Sequence, residues 1–254
     1  MTYQKYKNLE IYSAKGLHPK VFEAITKLKI KKDSSILVLG SGSGSFDKRL
    51  TDNGYNNITS CDINKDNYKL TNTNFIKVNL DTQFDKEIKA KYDLIIGLEI
   101  IEHLNSPFDF LRSCKNLLNK NGILIVSTPN LHSYNSRALF LLKGYPQTFS
   151  DSTSGGKDGH GHISPILDRI FRYYLKKLNL ELIERLHTAW YLVNLNTIRE
   201  KVGYIILSFL SIILFPFMMF NRKLLSGTVS IYVIKNGIWS KDLYKEVFCK
   251  GIFE

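Results

Sequence analysis

The chain has 254 residues, 44% of them hydrophobic and 23% charged, enough apolar material for one sizeable core, which sets intrinsic disorder aside for most of its length. Its 35 Lys and Arg against 23 Asp and Glu give a formal charge of +12, which suits phosphates, anionic lipid headgroups or an acidic substrate carrier. Nucleic acid is disfavoured as a partner, because the lysines are dispersed and neither zinc-finger spacing nor an aromatic-basic pattern is present. Cys61, Cys114 and Cys249 form no CxxC pair and the opening MTYQKYKNLE has no apolar stretch, so a reducing, cytoplasmic setting is expected, with the thiols as packing residues.

Pro19 to Ile30 places Phe22, Ile25 and Leu28 on one face and predicts a helix with Pro19 in its first turn. Ser35-Ile36-Leu37-Val38-Leu39 is a short apolar run ending in glycine, the signature of a fully buried parallel strand. Helical spacing resumes from Phe46 to Leu50 and stops at Gly54. Strands follow at 57–62, 74–78 and 92–97, then a helix over 107–118 and a fifth strand at 122–127. After Pro129 the pattern loosens, and Ser150 to His162 reads as a loop. A helix near 166–178 and strands near 180–186 and 228–235 complete the sheet. This alternation predicts an α/β fold, a doubly wound, Rossmann-like, mostly parallel seven-stranded sheet with ligands at the carboxyl ends of its strands.

An uncharged run from Gly203 to Phe220, flanked by Arg199 and Lys201 and by Arg222 and Lys223, forms an apolar helical insertion before the last strand. It is near the lower length limit for crossing a bilayer, Pro216 interrupts it, and crossing would part the last strand from its sheet. Contact with a membrane interface, a lid over an apolar substrate, and a core-packed or dimer-forming insertion all remain open. One domain over residues 1–254 is expected, with a core at about 34–130, acceptor or lid elements at 1–33 and 131–165, and the insertion at 203–220.

The turn Gly40-Ser41-Gly42-Ser43-Gly44 directly follows the first buried strand, where residues without a Cβ let the backbone approach a nucleotide. Asp62, ending the second strand, is placed to accept hydrogen bonds from both ribose hydroxyls. A dinucleotide fingerprint needs its third glycine one residue later, where Ser45 stands, which argues against NAD or FAD.

Four stretches carry a more specific likeness: Ile36–Gly44, Tyr92–Leu104, Val126–Asn130 and Gly161–Ser164. Through them the chain resembles the class I S-adenosylmethionine-dependent methyltransferase superfamily, and within it the ubiquinone-biosynthesis-type O-methyltransferases and the methyltransferases of bacterial glycan clusters. The resemblance implies that Gly40, Ser41, Gly42 and Gly44 line the methionine part of S-adenosylmethionine and that Asp62 holds its ribose. It further implies that Asn79 and Leu80 meet the adenine and that Gly97 and Leu98 flank the methionine moiety. The family usually has an acidic residue two positions before the first glycine, and here that position is Val38.

Methyl transfer from a sulfonium is an in-line displacement, so alignment and removal of a proton from the acceptor are the tasks left to the protein. Glu99, Glu102 and His103 stand at i, i+3 and i+4, so a helix after the fourth strand would gather them on one face, with His103 as the base. The same trio with His162 would alternatively bind Mg or Mn, as the matching motif does in relatives acting on catechol-like quinone precursors and on RNA 3′ ends. A third reading has Glu99 capping the helix and the other two making structural hydrogen bonds. The expected function is S-adenosylmethionine-dependent O-methylation of a small-molecule, sugar or lipid-linked acceptor, with peripheral placement at an anionic membrane surface. The alternative is a catalytically silent cofactor-binding or membrane-associated assembly subunit, which Val38 keeps open.

Overall fold

The computed structural model describes residues 4–71, 73–149, 161–188 and 227–237, together with positions 202 and 205. Its centre is β3 (Ile36–Leu39), whose four residues are all buried. Both neighbours, β4 (Ile58–Asp62) and β6 (Tyr92–Leu98), pair with it in parallel. Beyond β4 lies β5 (Asn74–Lys77), and beyond β6 lie β7 (Leu118–Pro129), β9 (Val229–Asn236) and β8 (Leu180–His187), giving the seven-stranded order β5-β4-β3-β6-β7-β9-β8. β9 runs against both its neighbours and is the reversed strand. The expected α/β sheet is therefore present, its last strand threaded in between two earlier ones.

Because strand side chains alternate between faces, β3 feeds two separate cores. Leu37 and Leu39 pack with Leu111 and Cys114 of α3 (Pro107–Leu117) and with Phe171 and Leu175 of α5 (Asp168–Lys177). Ile36 and Val38 pack on the other side with Val21 and Ile25 of α1 (Leu17–Lys27) and with Phe46 and Leu50 of α2 (Ser45–Asp52). Helices thus cover both faces, as near-continuous apolar strands require. α3 starts where its sequence says it should: the Ser106 hydroxyl accepts the Asp109 amide at 3.3 Å and Pro107 opens the helix.

Two elements were not expected. A hairpin of β1 (Gln4–Tyr6) and β2 (Leu9–Ile11) docks on α2, with the Arg49 guanidinium 4.1 Å from the Tyr6 ring centre, Tyr6 donating to Asp52 at 3.2 Å, and Lys7 paired with Asp52 at 2.7 Å. α4 (Tyr134–Lys143) lies in the stretch that read as loose. The Ser133 hydroxyl caps it and Gly144 closes it in the left-handed conformation. Its apolar residues are divided between buried Ala138 and Leu139 and exposed Phe140 and Leu141, so they draw no single stripe. Residues 150–160 of the loop expected over 150–162, the apolar run 203–220 apart from position 205, and Cys249 lie outside the described residues. Among the described residues no helix is long and apolar enough to cross a membrane.

Candidate active site

The strand order reverses at β3, which pairs with β4 on one side and β6 on the other, and this opens a crevice at the carboxyl ends of these strands. The glycine turn fills its floor. Gly40, Gly42 and Gly44 have φ values of 66°, 51° and 84°, and a Cβ on Gly40 would run into Cδ1 of Ile100. The turn is held by its own amides: Ser41 donates to Cys61 O at 2.9 Å and Gly42 donates to Asp62 Oδ2 at 2.8 Å. Asp62 Oδ1 accepts the Asn64 amide at 3.0 Å. Each carboxylate oxygen has a second lone pair, so Asp62 can fix the turn and still accept a ribose diol.

Behind the turn, the Ser41 hydroxyl lies 3.1 Å from Val38 O and 3.4 Å from Asp47 Oδ1. Asp47 is fully buried and also accepts the Ser60 hydroxyl, which is shared with Tyr68 at 2.7 Å. Burial pushes Asp47 up to about 6, against the hydrogen bonds from Ser60 and Ser41. Val38 is 3% exposed and belongs to the core with Ile36 and Phe46. Asn79 is exposed just past β5, its Oδ1 accepting the Asp81 amide at 3.0 Å, while Leu80 is buried in the core. Gly97 is buried, with room for a Cβ only 3.3 Å from Phe110, and Leu98 beside it is half-buried.

The helical face expected for Glu99, Glu102 and His103 does not form. Glu99 donates its amide to Ser127 of β7, at 3.0 Å to Oγ and 3.2 Å to O, and so stays on the ladder with a left-handed φ of 52°. A single 3₁₀ turn, Ile101–His103, follows, and α3 begins only at Pro107. Glu99 therefore leaves the set: its Oε2 accepts the Ala14 amide at 2.5 Å, and the groups that come together are Glu102, His103 and His162, with ligand atoms within 4.8 Å of one another.

His162 reaches this group because the segment around it is stitched to the 3₁₀ turn. Ile163 and Ser164 both donate their amides to Glu102 O at 2.9 Å, and the Ser164 hydroxyl donates to Leu104 O at 2.6 Å. The His103 and His162 rings meet edge to face at 4.6 Å, and Phe149 lies 5.3 Å from His162. His103 Nδ1 is 3.1 Å from Gly161 O, which requires its proton there and leaves the lone pair on Nε2.

The electrostatics of the three are unusual. Glu102 is fully buried, and among the described residues neither carboxylate oxygen has a hydrogen-bond partner. Burial, and then the charge of Glu99, raises it well above the usual carboxylate range, while Thr128 nearby favours the charged form. Burial pushes Glu99 up to about 7. His162 is driven down to about 4 by burial and by His103, and among the described residues its Nδ1 also lacks a partner. A buried carboxylate without a donor beside an imidazole held neutral is the donor set a divalent cation would satisfy.

His160 lies outside the described residues, and His18, His132 and His187 serve the framework. His18 is buried edge-on to Phe46, at 5.0 Å, and burial takes it down to about 3. His132 Nε2 accepts the Asp168 amide at 3.1 Å, and His187 Nδ1 pairs with Ser230 Oγ at 3.2 Å. The sequence predicts an acceptor or lid element at 1–33 but names none of its contacts: Glu10, Tyr12 and Ala14 all touch the crevice, two of them through backbone atoms that carry no sequence signal.

Fold and site together define a doubly wound α/β protein with a glycine turn on one side of the strand-order reversal and an acid–histidine cluster on the other. Residues 14–185 match the family model described as a methyltransferase domain, and the chain belongs to that family. The ubiquinone biosynthesis O-methyltransferase of Caulobacter vibrioides is 30% identical over 104 residues, 38% of this chain and 41% of that protein, so the chain spans about two fifths of the relative's length. A SAM-dependent methyltransferase from Archaeoglobus fulgidus shares the fold with a TM-score of 0.53 and 19% identity, over 86% of this chain and 92% of the other. Magnesium protoporphyrin IX methyltransferase from Synechocystis with bound SAH does so with a TM-score of 0.55 and 13% identity, over 87% and 82%.

Proposed function

We propose that the protein transfers a methyl group from S-adenosylmethionine to an oxygen of a small-molecule, sugar or lipid-linked acceptor. The observation that carries this reading is the placement of Asp62, bonded to the Gly42 amide at one side of the crevice, with Glu102, His103 and His162 at the carboxyl end of β6 on the other. Asp62 holds the ribose, the glycine turn and Leu98 border the methionine end, and Asn79 and Leu80 stand where the adenine would lie. His103 accepts the acceptor's proton on Nε2, its ring fixed by the Gly161 carbonyl.

In the alternative form of the same site, His103 gives its Nε2 to a cation instead of a proton: Glu102, His103 and His162 would then hold Mg or Mn, which when bound would lower the pKa of an acceptor hydroxyl and fix its direction. A membrane-proximal acceptor is supported by the surface near the site. α4 exposes Phe140 and Leu141 and carries Arg137 and Lys143 with no acid, and the start of α5 exposes Arg169 and Ile170.

The test is transfer of labelled methyl groups into fractionated lipid and glycan extracts. Incorporation that His103→Ala abolishes is expected. Absence of turnover in every fraction, with cofactor binding intact, would favour the silent-subunit alternative that Val38 keeps open.

A further inference from the structure

The N-terminal segment crosses the glycine turn with alternate residues touching it, as an extended chain does. Glu10 O accepts the Ser43 hydroxyl at 2.5 Å. The Tyr12 ring lies against Gly42, where a Cβ would come within 3.0 Å of Cδ2. The Ala14 amide donates to Glu99 Oε2 at 2.5 Å. These contacts run from the turn beside Asp62 to the end of β6, the span in which the cofactor is proposed to lie. The hairpin before them is anchored on α2 through Asp52 and Arg49, and at the far end the side-chain anchor is Glu99, 85 residues away from its partner.

Glu99 is an expensive way to hold a loop unless the loop matters. It is a non-glycine residue at φ 52°, and its carboxylate, with Oε2 on a backbone amide, stands outside the group formed by Glu102, His103 and His162, whose ligand atoms lie within 4.8 Å of one another. We infer that Glu99 is a positioning residue, the latch that closes residues 10–14 over the cofactor with Tyr12 as the outer wall, and is not part of the cation-binding or proton-transfer group. The inference rests on the reading of the glycine turn as an S-adenosylmethionine site.

Glutamine separates the two roles. Its Oε1 accepts the Ala14 amide as a carboxylate does, but it is a poor base and a poor ligand for a hard cation. In Glu99→Ala the rate of S-adenosylhomocysteine dissociation, followed by stopped-flow displacement, should rise about tenfold, the scale of one lost hydrogen bond to a charged group. Exchange of the Ala14 amide with deuterium should speed up in parallel. Glu99→Gln should stay within about twofold of wild type on both readouts. Ala14→Pro, which removes the donor without touching Glu99, should reproduce Glu99→Ala, and the double variant should be no worse than either single one. Mn²⁺ affinity should be the same in wild type and both Glu99 variants.

Loss of Mn²⁺ binding in Glu99→Gln to the same degree as in Glu99→Ala would place Glu99 in the cation group and overturn the proposal. Unchanged dissociation and unchanged Ala14 exchange in Glu99→Ala would remove the latch. Should Glu99→Ala not fold, Ala14→Pro against Glu99→Gln makes the same comparison. A wild-type protein that binds no S-adenosylhomocysteine would defeat the cofactor reading instead, and Ala14 exchange in the ligand-free protein would still report on the latch.

Discussion

The carboxylate of Asp62 and the amide of Gly42 meet at 2.8 Å, joining the end of β4 to the middle of the glycine turn. One acid thus sets the shape of the turn and, in the proposed function, holds the ribose as well, so the two roles cannot be separated by mutation of Asp62 alone. Asp62→Ala should weaken S-adenosylhomocysteine binding by about 10- to 100-fold, the range of one or two charge-assisted hydrogen bonds. Asp62→Asn, which keeps an acceptor for the Gly42 amide, should fall between, as titration calorimetry will show. Unchanged affinity in Asp62→Ala would mean that the ribose is held elsewhere.

The proposed cation site makes a prediction about stability through Glu102. Its folded pKa is raised, so in the metal-free protein its contribution is fully present below the ordinary carboxylate value and is lost as pH rises through the raised one. A cation reverses this by favouring the ionised form. At pH 8, Mn²⁺ should therefore raise the Tm of the wild type, leave Glu102→Gln unmoved, and restore activity lost to a chelator. A Tm indifferent to Mn²⁺ and a rate indifferent to chelator would remove the metal from the mechanism.

Asp47 gives a pH dependence of the same sign at a different place. Raised from 3.8 to about 6, it stabilises fully below pH 4, and that contribution disappears as pH climbs through 6. The shift corresponds to on the order of 3 kcal/mol at pH 8. Asp47→Asn keeps an oxygen for Ser60 and Ser41 and carries no charge, so its Tm relative to wild type should improve between pH 4 and 8. Parallel Tm profiles for the two proteins would show that Asp47 stays protonated, or solvated, throughout.

The sheet was readable because its strands are apolar runs ending in glycine or polar residues: Ile36–Leu39 into Gly40, and Tyr92–Leu98 into Glu99. The position of Asp62 was readable too, since it ends the strand beside the glycine turn. Glu99 was not. Its left-handed φ is imposed by Ser127 on the neighbouring strand, a partner 28 residues away that no local spacing encodes. The helical reading of Glu99, Glu102 and His103 therefore brought the right side chains to one end of β6 but in the wrong geometry. α4 escaped because its apolar residues serve two surroundings, and the contacts of the N-terminal segment with the turn escaped because Glu10 and Ala14 contribute backbone atoms.

The most direct test is titration calorimetry of the purified chain with S-adenosylhomocysteine, with NADH as the control ligand. Saturable one-to-one binding of S-adenosylhomocysteine, weakened in Asp62→Ala and absent for NADH, is the expected result. No heat with S-adenosylhomocysteine at high concentration, together with clear binding of NADH, would contradict it.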